Sequence, residues 1–95
     1  MRSGNYEFLR IERRIITPQI AEELLKTNVD NRPRNLNRVH YFMKILESGK
    51  WDKEDSILQI QDDGKLLDGQ HRLTAIMRTG KTVESQVIVV RKLDD

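Results

Sequence analysis

Gly69, Gln70, His71 and Arg72 stand in a row between the apolar pair Leu66-Leu67 and a run with helical spacing that carries Leu73, Ile76 and Met77. A strand end, a glycine and a helix start with a basic pair in its first turn form an arrangement suited to an anion. The first amides of a helix have no partner inside it and lie at the positive end of its dipole, so phosphate is favoured there. Gly69 lets the backbone approach closely, Arg72 can make a two-pronged bond to phosphate oxygens, and His71 can donate another. The structural alternatives are a tight turn at Gly69, a His71 bonded to Asp68 or to a backbone carbonyl, and an Asp68 that caps the helix.

A second basic group lies upstream. Asn28 to Asn35 has three Asn, one Asp, one Pro and two Arg with only Val29 apolar, the composition of a loop. Asn31 and Arg32 are the candidates to join the phosphate site from this loop. Arg34, Arg38, Tyr41 and Lys44 form a candidate nucleic-acid or partner surface, and with Arg13 and Arg14 the arginines can follow a phosphate backbone; the alternative is a solvated charged face. Tyr41 and Trp51 are the available base-stacking platforms, although Trp51 reads first as a lid over a helix. Asp62, Asp63 and Asp68 are the carboxylates from which a metal-dependent nuclease site would be assembled, but two of them fall in a turn where Asp serves conformation. No metal site is expected.

The elements that must position these residues follow from patterning. Tyr6 to Glu12 predicts a half-buried strand of uncertain register. Thr17-Pro18 opens a helix with Ile20, Leu24 and Leu25 as its apolar stripe, ending near Thr27-Asn28. Leu36, Val39, Met43 and Leu46, widened by Phe42 and Ile45, predict an amphipathic helix to Ser48 with Gly49 as its cap. Ser56 to Gln61 and Lys65 to Leu67 flank Asp63-Gly64, a hairpin signal. A third helix runs from Gln70 to Thr79-Gly80, and Val87-Ile88-Val89-Val90 predicts a strand buried on both faces. The expected architecture is α+β, in the order β-α-α-β-β-α-β, with a small mixed sheet packed against about three helices.

Composition sets bounds on function. With 95 residues the chain allows one domain, expected over residues 1–95. Hydrophobic residues make up 37%, so the core is modest. The 17 basic and 15 acidic residues leave a formal charge of +2, so polyanion binding depends on how the arginines cluster. The absence of cysteine excludes disulfides, thiolate metal sites and cysteine nucleophiles. No apolar run approaches a membrane span, and the polar start at Met1-Arg2-Ser3-Gly4-Asn5 lacks a secretory pattern, so a soluble intracellular protein is expected.

The stretch from Leu66 to Ile76 resembles the ParB/sulfiredoxin-like superfamily. In ParB domains that bind nucleoside triphosphates the motif is Gly-Glu-Arg-Arg and, after two more residues, Ala; Gly69, Arg72 and Ala75 match it, and His71 replaces the first Arg. In sulfiredoxin it is Gly-Cys-His-Arg, matched by Gly69, His71 and Arg72. Asn31-Arg32, Gly49-Lys50-Trp51 and Leu66 to Leu73 occur in the same order in small phage and plasmid proteins with a ParB-like domain, so the resemblance covers roughly residues 28 to 80. It implies a ParB/sulfiredoxin-like fold and a nucleotide site at Gly69 to Arg72.

Gln70 departs from both motifs. It is neither a nucleophile nor an acid, so sulfinic-acid reduction and triphosphate hydrolysis are not expected. The chain also ends before the DNA-reading and dimerisation parts of a partition protein, so the resemblance does not carry over chromosome segregation. The expected function is a non-catalytic binding module for the phosphate of a nucleotide or nucleic acid, with no cofactor beyond a nucleotide ligand. The alternatives are a phage-borne interaction module that inhibits a host or defence enzyme, and a ParB-like nuclease.

Overall fold

The computed structural model describes residues 5–28, 35–52 and 56–93. The elements are β1 (Tyr6–Ile16), α1 (Pro18–Lys26), α2 (Leu36–Ser48), β2 (Ile57–Gln61), β3 (Leu66–Asp68), α3 (Gln70–Thr79) and β4 (Val83–Lys92). The strands form one mixed sheet in the order β1-β4-β2-β3. β1 runs antiparallel to β4, β4 parallel to β2, and β2 antiparallel to β3. The described residues therefore form a small α+β domain in which α3 is the crossover between β3 and the central strand β4.

Local chemistry accounts for most boundaries. The Thr17 hydroxyl accepts from the Ile20 amide at 3.1 Å, with Pro18 opening α1. The Asn35 side chain accepts from the Asn37 and Arg38 amides at 3.0 and 3.4 Å, which caps α2. Between β2 and β3 the Gly64 amide donates to the Gln61 carbonyl at 2.9 Å, and the Gln61 amide to the Lys65 carbonyl at 2.8 Å. The turn places Gly64 at φ +96°, a left-handed position that side-chain-bearing residues avoid.

The core joins one face of the sheet to the helices. Leu58 pairs with Val87 and Ile60 with Val89 on adjacent strands. All four belong to the buried cluster that includes Ala21, Val39, Leu46, Leu73, Ala75 and Ile76. On β1 the opposite face carries Phe8, Ile11 and Ile15, which are 60%, 54% and 58% exposed.

Several expectations are corrected. β1 extends to Ile16 rather than ending near Glu12, because β4 pairs with it along that whole length. The register shifts between Phe8 and Arg10, where the sequence alternation slips. On α1 Ile20 is exposed and Ala21 takes the fully buried place; on α3 Met77 is exposed while Thr74 and Ala75 are buried. The helix rotations are set by close approach to their neighbours, which favours the smaller side chains. β4 is not uniformly buried on both faces, since Ile88 is only half-buried. No helix among the described residues is long and apolar enough to cross a membrane.

Candidate functional site

β3 leads directly into Gly69, whose φ is +119°. A Cβ at this position would lie 2.4 Å from Leu58 Cδ2, and Leu58 is itself 1% exposed. Glycine is therefore required twice, by backbone conformation and by the packing of the turn on β2. Gly69 is the N-cap of α3 and supplies no side-chain cap, and Asp68 does not cap the helix in its place. This leaves the start of α3 without the side-chain acceptor found at the starts of α1 and α2.

The next three residues diverge. Gln70 accepts a hydrogen bond from the side-chain amide of Asn28, just after α1. The Nε2 atom of His71 accepts from the backbone amide of Asn35 at 3.0 Å, at the start of α2. These bonds hold the two flanks of the connection between α1 and α2 against α3. With Nε2 accepting from Asn35, the imidazole donates through its other ring nitrogen. Asn31, Arg32 and Arg34, the loop candidates, lie outside the described residues.

Arg72 turns away, toward α2 and β2. Its Nη1 donates to the Ile57 carbonyl at 3.3 Å, and its guanidinium carbon lies 4.9 Å from the centroid of the Phe42 ring. Nε is buried and has no hydrogen-bond partner. Among the described residues no carboxylate forms an ion pair with Arg72. Burial pushes its pKa below the ordinary arginine value; Asp68 opposes that, and Arg38 adds to it. The group remains a cation at neutral pH. A half-buried cation without a bonded counter-charge is costly, and an anion supplied from outside removes the cost.

Arg38 shares the same ring, at 5.9 Å from the Phe42 centroid. Two guanidinium groups thus lie within 6 Å of one aromatic centre, brought together from α2 and α3. Patterning placed Arg38 on the surface of α2; that it shares the Phe42 ring with Arg72 was missed, and the sequence holds no signal for it. Tyr41 and Lys44 are exposed, as expected. With Asn37 and His40 they line a shallow concavity of about 520 Å³, but every residue there belongs to α2, so no second element closes it.

A smaller crevice of about 410 Å³ lies between elements, lined by Tyr41, Phe42, Lys50, Trp51, Ser56 and Arg72, among others. Trp51 is half-buried against the core, as a lid would be, and its Nε1 donates to the Glu84 carbonyl at 3.2 Å. Ser56 is 4% exposed and its hydroxyl has no hydrogen-bond partner. Among the described residues no group of three or more His, Cys, Asp or Glu is placed to hold a metal ion. Chemically, the arrangement offers fixed positive charge beside aromatic surface. No protein-family model, no curated protein and no solved structure matches the chain.

Proposed function

We propose that this chain is a binding module of ParB/sulfiredoxin-like fold that holds the phosphate of a nucleotide or nucleic acid, without turnover. The observation that carries this reading is Arg72: half-buried, without an ion-pair partner among the described residues, and close to the same Phe42 ring as Arg38. A phosphate brought to these arginines supplies the counter-charge that neither receives from a carboxylate among the described residues. Gln70 and His71 fasten the neighbouring connection.

Calorimetry with inorganic phosphate and nucleotides, on the wild-type protein and on Arg72→Met, tests this. Loss of a charge-assisted bond of about 1.5–3 kcal/mol predicts an affinity lower by roughly tenfold or more. Methionine keeps the apolar contact with Phe42, so the circular dichroism spectrum is expected to be unchanged. Equal affinity in the two proteins would remove the site.

A second reading is an interaction module that inhibits a host enzyme. It is favoured by Phe8, Ile11 and Ile15, three large apolar side chains more than half exposed on one strand. Affinity capture from bacterial lysate separates the readings: a stoichiometric protein partner that survives nuclease treatment, with no phosphate binding by calorimetry, would favour the second.

A further inference from the structure

We propose that the sheet face turned away from the helices is a dimerisation surface, on which a second copy of this chain stacks with its β4 antiparallel to that of the first. The proposal does not rest on the phosphate reading, because Arg72 belongs to the helix layer on the other side of the sheet. It assigns to a copy of the chain the exposed apolar side chains that favour an interaction module.

The helices cover one face of the sheet. Residues of α1, α2 and α3 all join the cluster built on Val87 and Val89 of β4 and on Leu58 and Ile60 of β2. A sheet face left to water ordinarily carries polar side chains, and β1 is patterned the other way round. Arg10, Glu12 and Arg14 pair with Val89, Val87 and Ser85 and so lie on the helix side, where both arginines bond to Glu12. Phe8, Ile11 and Ile15 lie on the open side, each more than half exposed. Beside them β4 presents Ile88 and β2 presents Ile57, both half-buried.

The register of β1 against β4 makes this face complementary to itself. Ile11 and Ile88 form its middle row. One step out, Arg13 and Gln86 balance Phe8 and Val90; a further step out, Ile15 and Glu84 balance Tyr6 and Lys92. A two-fold axis through the middle row, lying between two stacked sheets and across their strands, sets Glu84 opposite Lys92 of the second copy and Arg13 opposite its Phe8, each contact occurring twice. Among the described residues Arg13, Glu84 and Lys92 form no ion pair. Stacking with the strands parallel puts each of these charges in the same row as its own counterpart, so charge selects the antiparallel arrangement.

Size sets the strength. From Glu84 to Lys92 the face runs about 27 Å, and three strands make it roughly 14 Å wide, a plan of about 380 Å² before side-chain relief is counted. Standard interfaces begin near ~600 Å² per partner, so this face suits a reversible dimer with a dissociation constant of about 1–100 µM.

Sedimentation velocity on the full chain, from about 1 µM to 1 mM, tests the proposal across that affinity range. A monomer–dimer equilibrium is expected. Ile11→Glu, at an exposed position on the axis, is expected to weaken it at least about tenfold, with an unchanged circular dichroism spectrum and unchanged phosphate affinity. Glu84→Lys and Lys92→Glu are each expected to weaken it by about three- to tenfold, while the two variants mixed together, or both changes in one chain, restore it. That rescue is particular to antiparallel stacking. A chain that stays monomeric to the highest concentration overturns the proposal and leaves the face to a foreign protein. A dimer indifferent to Ile11→Glu, or one in which the opposite charge reversals fail to rescue each other, also overturns it, and none of these results bears on phosphate binding.

Discussion

Gln70 and His71 on one side, and Arg72 on the other, are consecutive residues of one helix turn with opposite fates. Gln70 and His71 reach back to Asn28 and Asn35 and fasten the chain on either side of the α1–α2 connection. Arg72 reaches the other way and keeps a charge that no carboxylate among the described residues bonds. Successive residues on a helix point about 100° apart, so a compact motif need not be a compact site. Part of this motif maintains the architecture, and one residue within it keeps a half-buried charge that no carboxylate among the described residues bonds.

That division can be broken at its base or sharpened at each branch. The largest effect is expected for Gly69→Ala, which places a Cβ against Leu58 at a backbone angle of +119°. Strain and overpacking together predict a loss of about 2–4 kcal/mol in denaturant unfolding, with both branches of the motif disturbed. A stability within 1 kcal/mol of wild type, on the order of a surface substitution, would show that the turn adapts.

Gly64→Val tests the hairpin that delivers Gly69 without touching the motif. Nothing lies within 4 Å of a Cβ there, so the cost is conformational, about 1–2 kcal/mol and more for a β-branched side chain. Its melting temperature is expected to fall between those of wild type and Gly69→Ala.

His71→Ala separates the branches. It removes the acceptor for the Asn35 amide and is expected to cost about 1 kcal/mol in stability while leaving phosphate affinity unchanged. Arg72→Met is expected to do the reverse. Parallel melting curves and calorimetry on the two variants make the comparison, and a His71→Ala protein of normal stability that no longer binds phosphate would return His71 to the ligand.

The smallest effect is expected far from this turn, at Glu12 on β1. The bond from Arg10, followed by that from Arg14, holds its carboxyl below the ordinary glutamate value. A folded-state pKa below the unfolded one means that the unfolded chain binds the proton first. The contribution is therefore present above the ordinary glutamate range and is lost as pH falls through the folded pKa. Glu12→Gln is expected to flatten the acid limb of a stability profile slightly and to leave phosphate binding unaltered.

The sequence by itself determined the features that depend on neighbours within a turn or two. Thr17 and Asn35 cap their helices through their own side chains, Pro18 suits the first position of α1, and Asp63-Gly64 marks the loop between β2 and β3. Leu36 to Ser48 was legible as a helix to the residue, because its apolar spacing and Gly49 act locally. Gly69 was legible as a special position, though not for its packing reason, which lies on Leu58 in another strand. The tertiary structure decided the rest. Whether Ile20 or Ala21 is buried depends on how closely α1 approaches its neighbours, and the length of β1 depends on β4, which follows some seventy residues later. The site depends on such contacts throughout: His71 meets Asn35 across 36 positions, Gln70 meets Asn28 across 42, and Arg72 reaches Ile57 across 15. Spacing rules state which residues share a face of their own element. Which partner that face meets is set by the packing of the core, and that packing left Arg72 beside Phe42 and Arg38 with its charge unmatched by any ion pair among the described residues.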